Sequence, residues 1–356
     1  MTKVIKMKKT LMISIMALLF LIACVQEQSV EKIKVGAILP LTGAGSLSGE
    51  QAKNALLMAV EEINAQGKVN IELIIQDSKS SAKDGVTAFY ELMSINKPDV
   101  LMPALSSVSM ALAPLIEEQQ IPAIALSATA PALTVNKTWI FRYFPAAYAE
   151  VVPPINTMNK LGVKKLGLLY LDDDYGRAML KLFQEKFEVA AEPFLVTDAD
   201  FRTQIAKLQS KNVDAVFIAG YDNHIKNSII QLKELGFDKP VISVATASSP
   251  LFRKDNSTNG LYVTAPTIYN ADSPAKAFMD EYRSKYGSEA TQYAAYAYDA
   301  MKLLAAAVEK GGDIRSSIEQ TTAYSGLFGN VTFKNHDAVF ELHSAVIENG
   351  QLRYLP

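Results

Sequence analysis

The densest chemistry in the sequence is a set of hydroxyl groups placed just past apolar runs. Ser106 and Ser107 follow Val100 to Ala104, and Ser127 and Thr129 follow Ala123 to Leu126. Hydroxyls and the unpaired amides of helix N-termini can together hold a carboxylate without a full cationic partner. Taken singly, each of these residues is also what a helix N-cap uses. Their convergence on neighbouring loops points to a ligand site. Other chemistries find less support. No Gly-x-Ser-x-Gly elbow is present for a hydrolase, and His224, His336 and His343 are scattered, with no His-x-x-x-His pair for a metal. The last two flank an apolar run and are expected at the surface. Asp172-Asp173-Asp174 lacks the spaced acidic pattern of a calcium loop and reads as a solvated acidic turn.

A nucleotide site receives a closer test. Gly43-Ala44-Gly45-Ser46-Leu47-Ser48-Gly49 follows one apolar run, and Asp77 ends the next. The spacing is G-x-G-x-x-x-G, however, and Asp77 lies 34 residues beyond Gly43, where a dinucleotide fingerprint needs about 20. A flexible loop of small residues accounts for the same glycines. Neither a cofactor nor a metal is expected.

Composition narrows the class further. The 356 residues are 49% hydrophobic and 20% charged, which belongs to an ordered globular chain. A net charge of −2 offers no basic face for nucleic acid. The single Cys excludes an internal disulfide and a thiolate cluster.

That Cys lies at the end of a leader. Lys3, Lys6, Lys8 and Lys9 precede the uncharged run Leu11 to Ala23, whose 13 residues are too few to span a bilayer core. Leu21-Ile22-Ala23-Cys24 resembles the lipobox of bacterial lipoproteins, which implies cleavage after residue 23, acylation of Cys24 and a tether over 24–31. The product would be an exported protein held on a membrane by lipid. It keeps 31 basic against 37 acidic residues, a net −6. Met7 is an alternative start.

The elements that must position the hydroxyls follow from the rest of the pattern. Short apolar runs alternate with helical periodicity from Ile33 to Phe144, and a second such series runs from Lys165 to Val244. Parallel strands with crossover helices are buried on both faces and produce this alternation. The fold expected is α/β, with two doubly wound Rossmann-like lobes. Residues 274–321 have mostly helical period, and Val331 to Phe333 and Phe340 to Ile347 read as strand. Open α/β sheets bind ligands at the carboxyl ends of their strands. The loops to watch are therefore Pro40 to Gly49, Ser106-Ser107 and Ser127-Ala128-Thr129 in the first lobe. In the second they are Asp172 to Gly176, Tyr221 to Asn223 and Ala245 to Ser249.

Val35-Gly36-Ala37-Ile38-Leu39-Pro40-Leu41-Thr42-Gly43, Ile121 to Thr129 and Asp174-Tyr175-Gly176 resemble the leucine/isoleucine/valine-binding proteins. These are extracytoplasmic type I solute-binding proteins of ABC importers. The likeness implies a binding protein rather than an enzyme, an ABC permease as partner, and a small ligand held between two lobes joined by a three-strand hinge. It places lobe 1 at 32–146 plus 273–325 and lobe 2 at 147–272 plus 326–356. It implies ligand contacts from Ser106 and the adjoining Ser107, from Ser127, Ala128 and Thr129, and from Tyr175, Tyr221 and Tyr293. Two departures matter. Ser48 stands where the family carries a Tyr, and the acid that pairs with the ligand ammonium falls at Ala245 or Thr246, neither of which is charged. Either Asp222 or Asp174 supplies the charge, or the ligand lacks an ammonium, which admits simple carboxylates, aromatic acids and amides. A ligand-sensing subunit coupled to a signalling partner would share the same fold.

Overall fold

The structure is a computed structural model and describes residues 32–270 and 272–356. The leader, Cys24 and the tether lie outside the described residues.

The first five strands are β1 (Lys32–Leu39), β2 (Asn70–Asp77), β3 (Val100–Pro103), β4 (Ala123–Ala125) and β5 (Ile140–Arg142). All pair in parallel, in the order β2-β1-β3-β4-β5. Val35, Ala37, Ile38 and Leu39 are completely buried because both faces of this sheet are covered. One face packs on the helices Ser46–Gln66 and Gln292–Glu309, and the other on Ala82–Glu91 and Ser106–Gln119.

The next five strands repeat the plan: β6 (Lys165–Leu171), β7 (Glu188–Phe194), β8 (Ala215–Ala219), β9 (Val241–Ser243) and β10 (Tyr262–Pro266), in the order β7-β6-β8-β9-β10. The last of these was not among the expected strands. In each sheet the winding reverses beside the founding strand, between β1 and β3 and between β6 and β8. Such switch points leave a crevice at the strands' carboxyl ends.

Chain ends complete both sheets. β11 (Ala323–Gly326), β12 (Gly329–Lys334) and β13 (Asp337–Val339) extend the first sheet to eight strands, and β14 (Leu342–Glu348) and β15 (Gln351–Tyr354) extend the second to seven. The expectation that residues 326–356 join the second lobe therefore needs correction for 326–339. β11 and β12 form a hairpin closed by only Leu327 and Phe328, so one sheet must take both. Phe328 stacks on Tyr296 at 4.1 Å within the first core, which fixes the choice. The chain crosses to the second sheet at Phe340-Glu341.

A buried ion pair ties this crossing to the hydroxyl loops. Arg142 is fully buried, and its Nε donates to Asp337 Oδ1 at 2.8 Å. Its Nη1 reaches the carbonyls of Ala130 at 2.9 Å and Ala128 at 3.3 Å, and Tyr148 donates to the other Asp337 oxygen at 2.7 Å. The end of β5 thus grips the loop that carries Ser127 and Thr129.

Candidate functional site

The crevices of the two sheets face one another across a common cavity. It offers about 40 Å³ to the centres of water-sized spheres. Such a volume holds about three water molecules.

The first lobe supplies the hydroxyls. Ser106 opens the helix after β3, and its Oγ accepts from the Thr129 amide at 3.0 Å and the Ala130 amide at 3.2 Å. A serine oxygen has two lone pairs and one hydrogen. Both lone pairs are taken by the backbone, so Ser106 is left as a donor facing the cavity. Thr129 Oγ1 lies 3.4 Å away and completes a polar arc with Ser127. The backbone is unusual at this point, because Leu105 has φ 73° and Ser127 φ 49°. Non-glycine residues adopt such angles at a cost, and they concentrate at functional sites.

The second lobe supplies the opposite wall. Tyr175 rides on the helix Asp174–Gln184, whose first turn is capped by Asp173 accepting from the Gly176 amide at 2.9 Å. Gly176 allows this helix to start close against β6, since a Cβ there would sit 1.8 Å from the Leu171 carbonyl oxygen. Tyr221 begins the helix after β8, where its amide donates to His224 Nδ1 at 3.2 Å. That bond leaves His224 Nε2 to donate to the Val196 carbonyl at 3.0 Å, while burial lowers the ring's pKa. Tyr293 comes from the first lobe, stacks nearly parallel to Phe144, and shares a 2.5 Å hydrogen bond with Thr246 of the second lobe. This contact bridges the lobes at the edge of the cavity.

Ser106, Ser127, Thr129, Tyr175, Tyr221, Thr246 and Tyr293 all line the cavity. Five other candidates do not. Ser48 turns back to donate to the Gly45 carbonyl at 2.7 Å, because it lies in the first turn of its helix. Ser107 faces a separate surface pocket beside Asp172 and Asp173, on the far side of Tyr221. Ala128 is buried and contributes its carbonyl to Arg142 rather than to the cavity. Asp222 is buried behind the wall, and burial pushes its carboxyl up to about 6. Asp174 pairs with Arg177 at 3.6 Å outside the cavity, so it is not free to meet a ligand charge.

Three further expectations change. The triple-Asp turn is not wholly solvated: burial pushes Asp173 up to about 6 despite the Gly176 amide. His336 is only 16% exposed and stacks on Phe141 at 4.4 Å. The Gly43–Gly49 loop is pinned rather than loose, as Asp77 accepts from the amides of Leu41, Thr42 and Lys79 and from the Thr42 hydroxyl. The carboxylate that suggested a nucleotide site is a clamp between two loops.

Glu150 carries no motif, yet it is the one charged side chain in the cavity lining. It ends the four-residue helix Ala147–Glu150, just after the chain enters the second lobe. It is 5% exposed, its Oε1 accepts from the Ala245 amide at 3.3 Å, and its Oε2 has no partner. Burial, only partly offset by that amide, pushes its carboxyl up to about 7. The signal available in the sequence was a lone acid within the apolar stretch Phe144 to Val152.

Residues 32–350 match the family model described as periplasmic binding protein. The chain belongs to this family. A leucine-, isoleucine-, valine-, threonine- and alanine-binding protein of Pseudomonas aeruginosa is 24% identical over 89% of this periplasmic binding protein and 91% of its own length. The branched-chain amino acid transporter substrate-binding protein of Streptococcus pneumoniae, solved with isoleucine, is 26% identical. The match has a TM-score of 0.81 and covers 91% of this chain and all of that one. A Rhodopseudomonas palustris solute-binding protein solved with benzoate has a TM-score of 0.83 at 21% identity, covering 91% and 96% of the two chains. These relatives are named as binding proteins for small molecules, and the two solved structures share this two-sheet α/β fold. Among the described residues no helix is long and apolar enough to cross a membrane.

Proposed function

We propose that this periplasmic binding protein captures a small carboxylate-bearing solute between its lobes and delivers it to an ABC permease, while a lipid on Cys24 holds it at the membrane. The observation that carries the reading is Ser106. Its lone pairs are occupied by the Thr129 and Ala130 amides, so its hydroxyl can only donate, and a ligand carboxylate is a stronger acceptor than Thr129 Oγ1 at 3.4 Å. The ligand classes this reading admits are leucine, isoleucine, valine and related acids and amides. Closure follows from population shift. A ligand touching Ser106 on one side and Tyr175 on the other stabilises only the arrangement in which both are within reach.

The test is a thermal-shift and calorimetric screen against branched-chain amino acids, aromatic acids, short-chain acids and amides. A saturable shift with a carboxylate, weakened about tenfold in Ser106→Ala, supports the reading. Binding that is indifferent to Ser106 would place the carboxylate elsewhere.

A further inference from the structure

We infer that Glu150 receives an ammonium group, so that the cavity selects a zwitterionic amino acid over the same acid without its amine. The inference rests on the proposed capture of a carboxylate at Ser106 and adds the other end of the ligand. Among the described residues no Lys or Arg lines the cavity, and Glu150 is its one charged side chain. One Glu150 oxygen is engaged by the Ala245 amide, and the other is buried with no partner. The neighbouring protein groups do not neutralise it, because Tyr175, Tyr293 and Tyr296 are phenols kept neutral by burial first and by nearby negative charge, Glu150 included, second. A buried carboxylate is tolerated only when paired or protonated.

Three ligand classes can be compared on this geometry. An amine-free acid brings a second negative charge into a closed space beside Glu150, and like charges there cannot both ionise freely. A simple amine satisfies Glu150 but leaves the Ser106 hydroxyl without its acceptor. A zwitterion satisfies both walls with no net charge transferred into the cavity. The acid therefore sits on the helix Ala147–Glu150, with its engaged oxygen on the amide of Ala245, in the uncharged segment where the resemblance to leucine/isoleucine/valine-binding proteins had called for an acid.

The experiment uses the full chain in detergent and isothermal titration. Leucine, valine, alanine and phenylalanine are each paired with the deaminated partner: 4-methylpentanoate, 3-methylbutanoate, propanoate and 3-phenylpropanoate. Wild type is expected to prefer at least one amino acid over its partner by tenfold or more. Glu150→Gln should lose that preference or reverse it, and Glu150→Asp, which keeps the charge, should retain part of it. Thermal melts of both variants verify folding. The inference is overturned if no amino acid binds, if a deaminated acid binds wild type as tightly as its amino acid, or if Glu150→Gln leaves the preference intact. Ser106→Ala separates the two proposals, since it should weaken amino acids and deaminated acids alike. If it weakens neither, the carboxylate reading fails as well.

Discussion

An unliganded Glu150 should cost this protein stability at neutral pH, and Glu150→Gln should remove that cost. Its carboxyl rises from an ordinary 4.5 to about 7 on folding because burial penalises the charged form. The folded state therefore keeps its proton to higher pH than the unfolded state does. Stability is lost as pH rises from about 4.5 to about 7, and it is constant above that window. At 1.36 kcal/mol per pH unit the loss amounts to about 3 kcal/mol. Gln does not titrate and can still accept from the Ala245 amide. The variant should match wild type near pH 4 and exceed it by about 3 kcal/mol at pH 8, or about 4 °C in Tm for a chain of this size. Asp173, Asp222 and Asp299 are also pushed up to about 6 by burial, while hydrogen bonds outweigh burial and hold Asp77 and Glu192 below their ordinary values, and both proteins share this background. The difference between them isolates Glu150. Urea titrations at pH 4, 5, 6, 7 and 8 measure it. A difference that does not change across this range would refute the claim that Glu150 titrates in a dry, unpaired environment.

Other perturbations read separate parts of the architecture. Thr129→Ala removes one hydroxyl of the polar arc, worth about 1 kcal/mol, so affinity for a carboxylate should fall about fivefold to tenfold with an unchanged melt. Gly176→Ala forces a Cβ to within 1.8 Å of the Leu171 carbonyl oxygen and should displace the Tyr175 helix. Ligand-induced stabilisation would then disappear, and a normal shift would show that the turn can relax. Asp337→Ala strands the fully buried Arg142 and should cost about 3–5 kcal/mol in urea unfolding. Tyr293→Phe deletes the 2.5 Å bridge to Thr246, so the closed form should open faster. A higher off-rate with little change in on-rate, measured by stopped flow, is the expected result.

Much of the architecture was legible because it rests on local pattern. Runs such as Val35 to Leu39 and Ala215 to Ala219 are continuous and apolar because their strands are covered on both faces, and each has a helix after it. The hydroxyl loops were legible for the same reason, since a residue just past a strand's carboxyl end lands at the crevice wherever the sheet is doubly wound. Positions that depend on distant partners were harder. The order of β12 and β13 within the first sheet depends on Phe328 meeting Tyr296 and on Asp337 meeting Arg142, contacts that no local period encodes. Ser48 and Ser107 have the right type and neighbourhood, but helical rotation turns one back on its own backbone and the other onto a different surface.

The sequence by itself determined two doubly wound lobes, the loops at their strand ends and the hydroxyls those loops carry, all of which follow from periodicity and residue type along short stretches. Only the tertiary structure decided which acid lines the cavity. Glu150 and the Ala245-Thr246 segment are about a hundred residues apart and meet because the chain crosses into the second lobe just before one and closes a strand just before the other. Charge complementarity in a closed cavity is a property of groups brought together through space, and a reading along the chain locates it only where a motif has recorded the encounter.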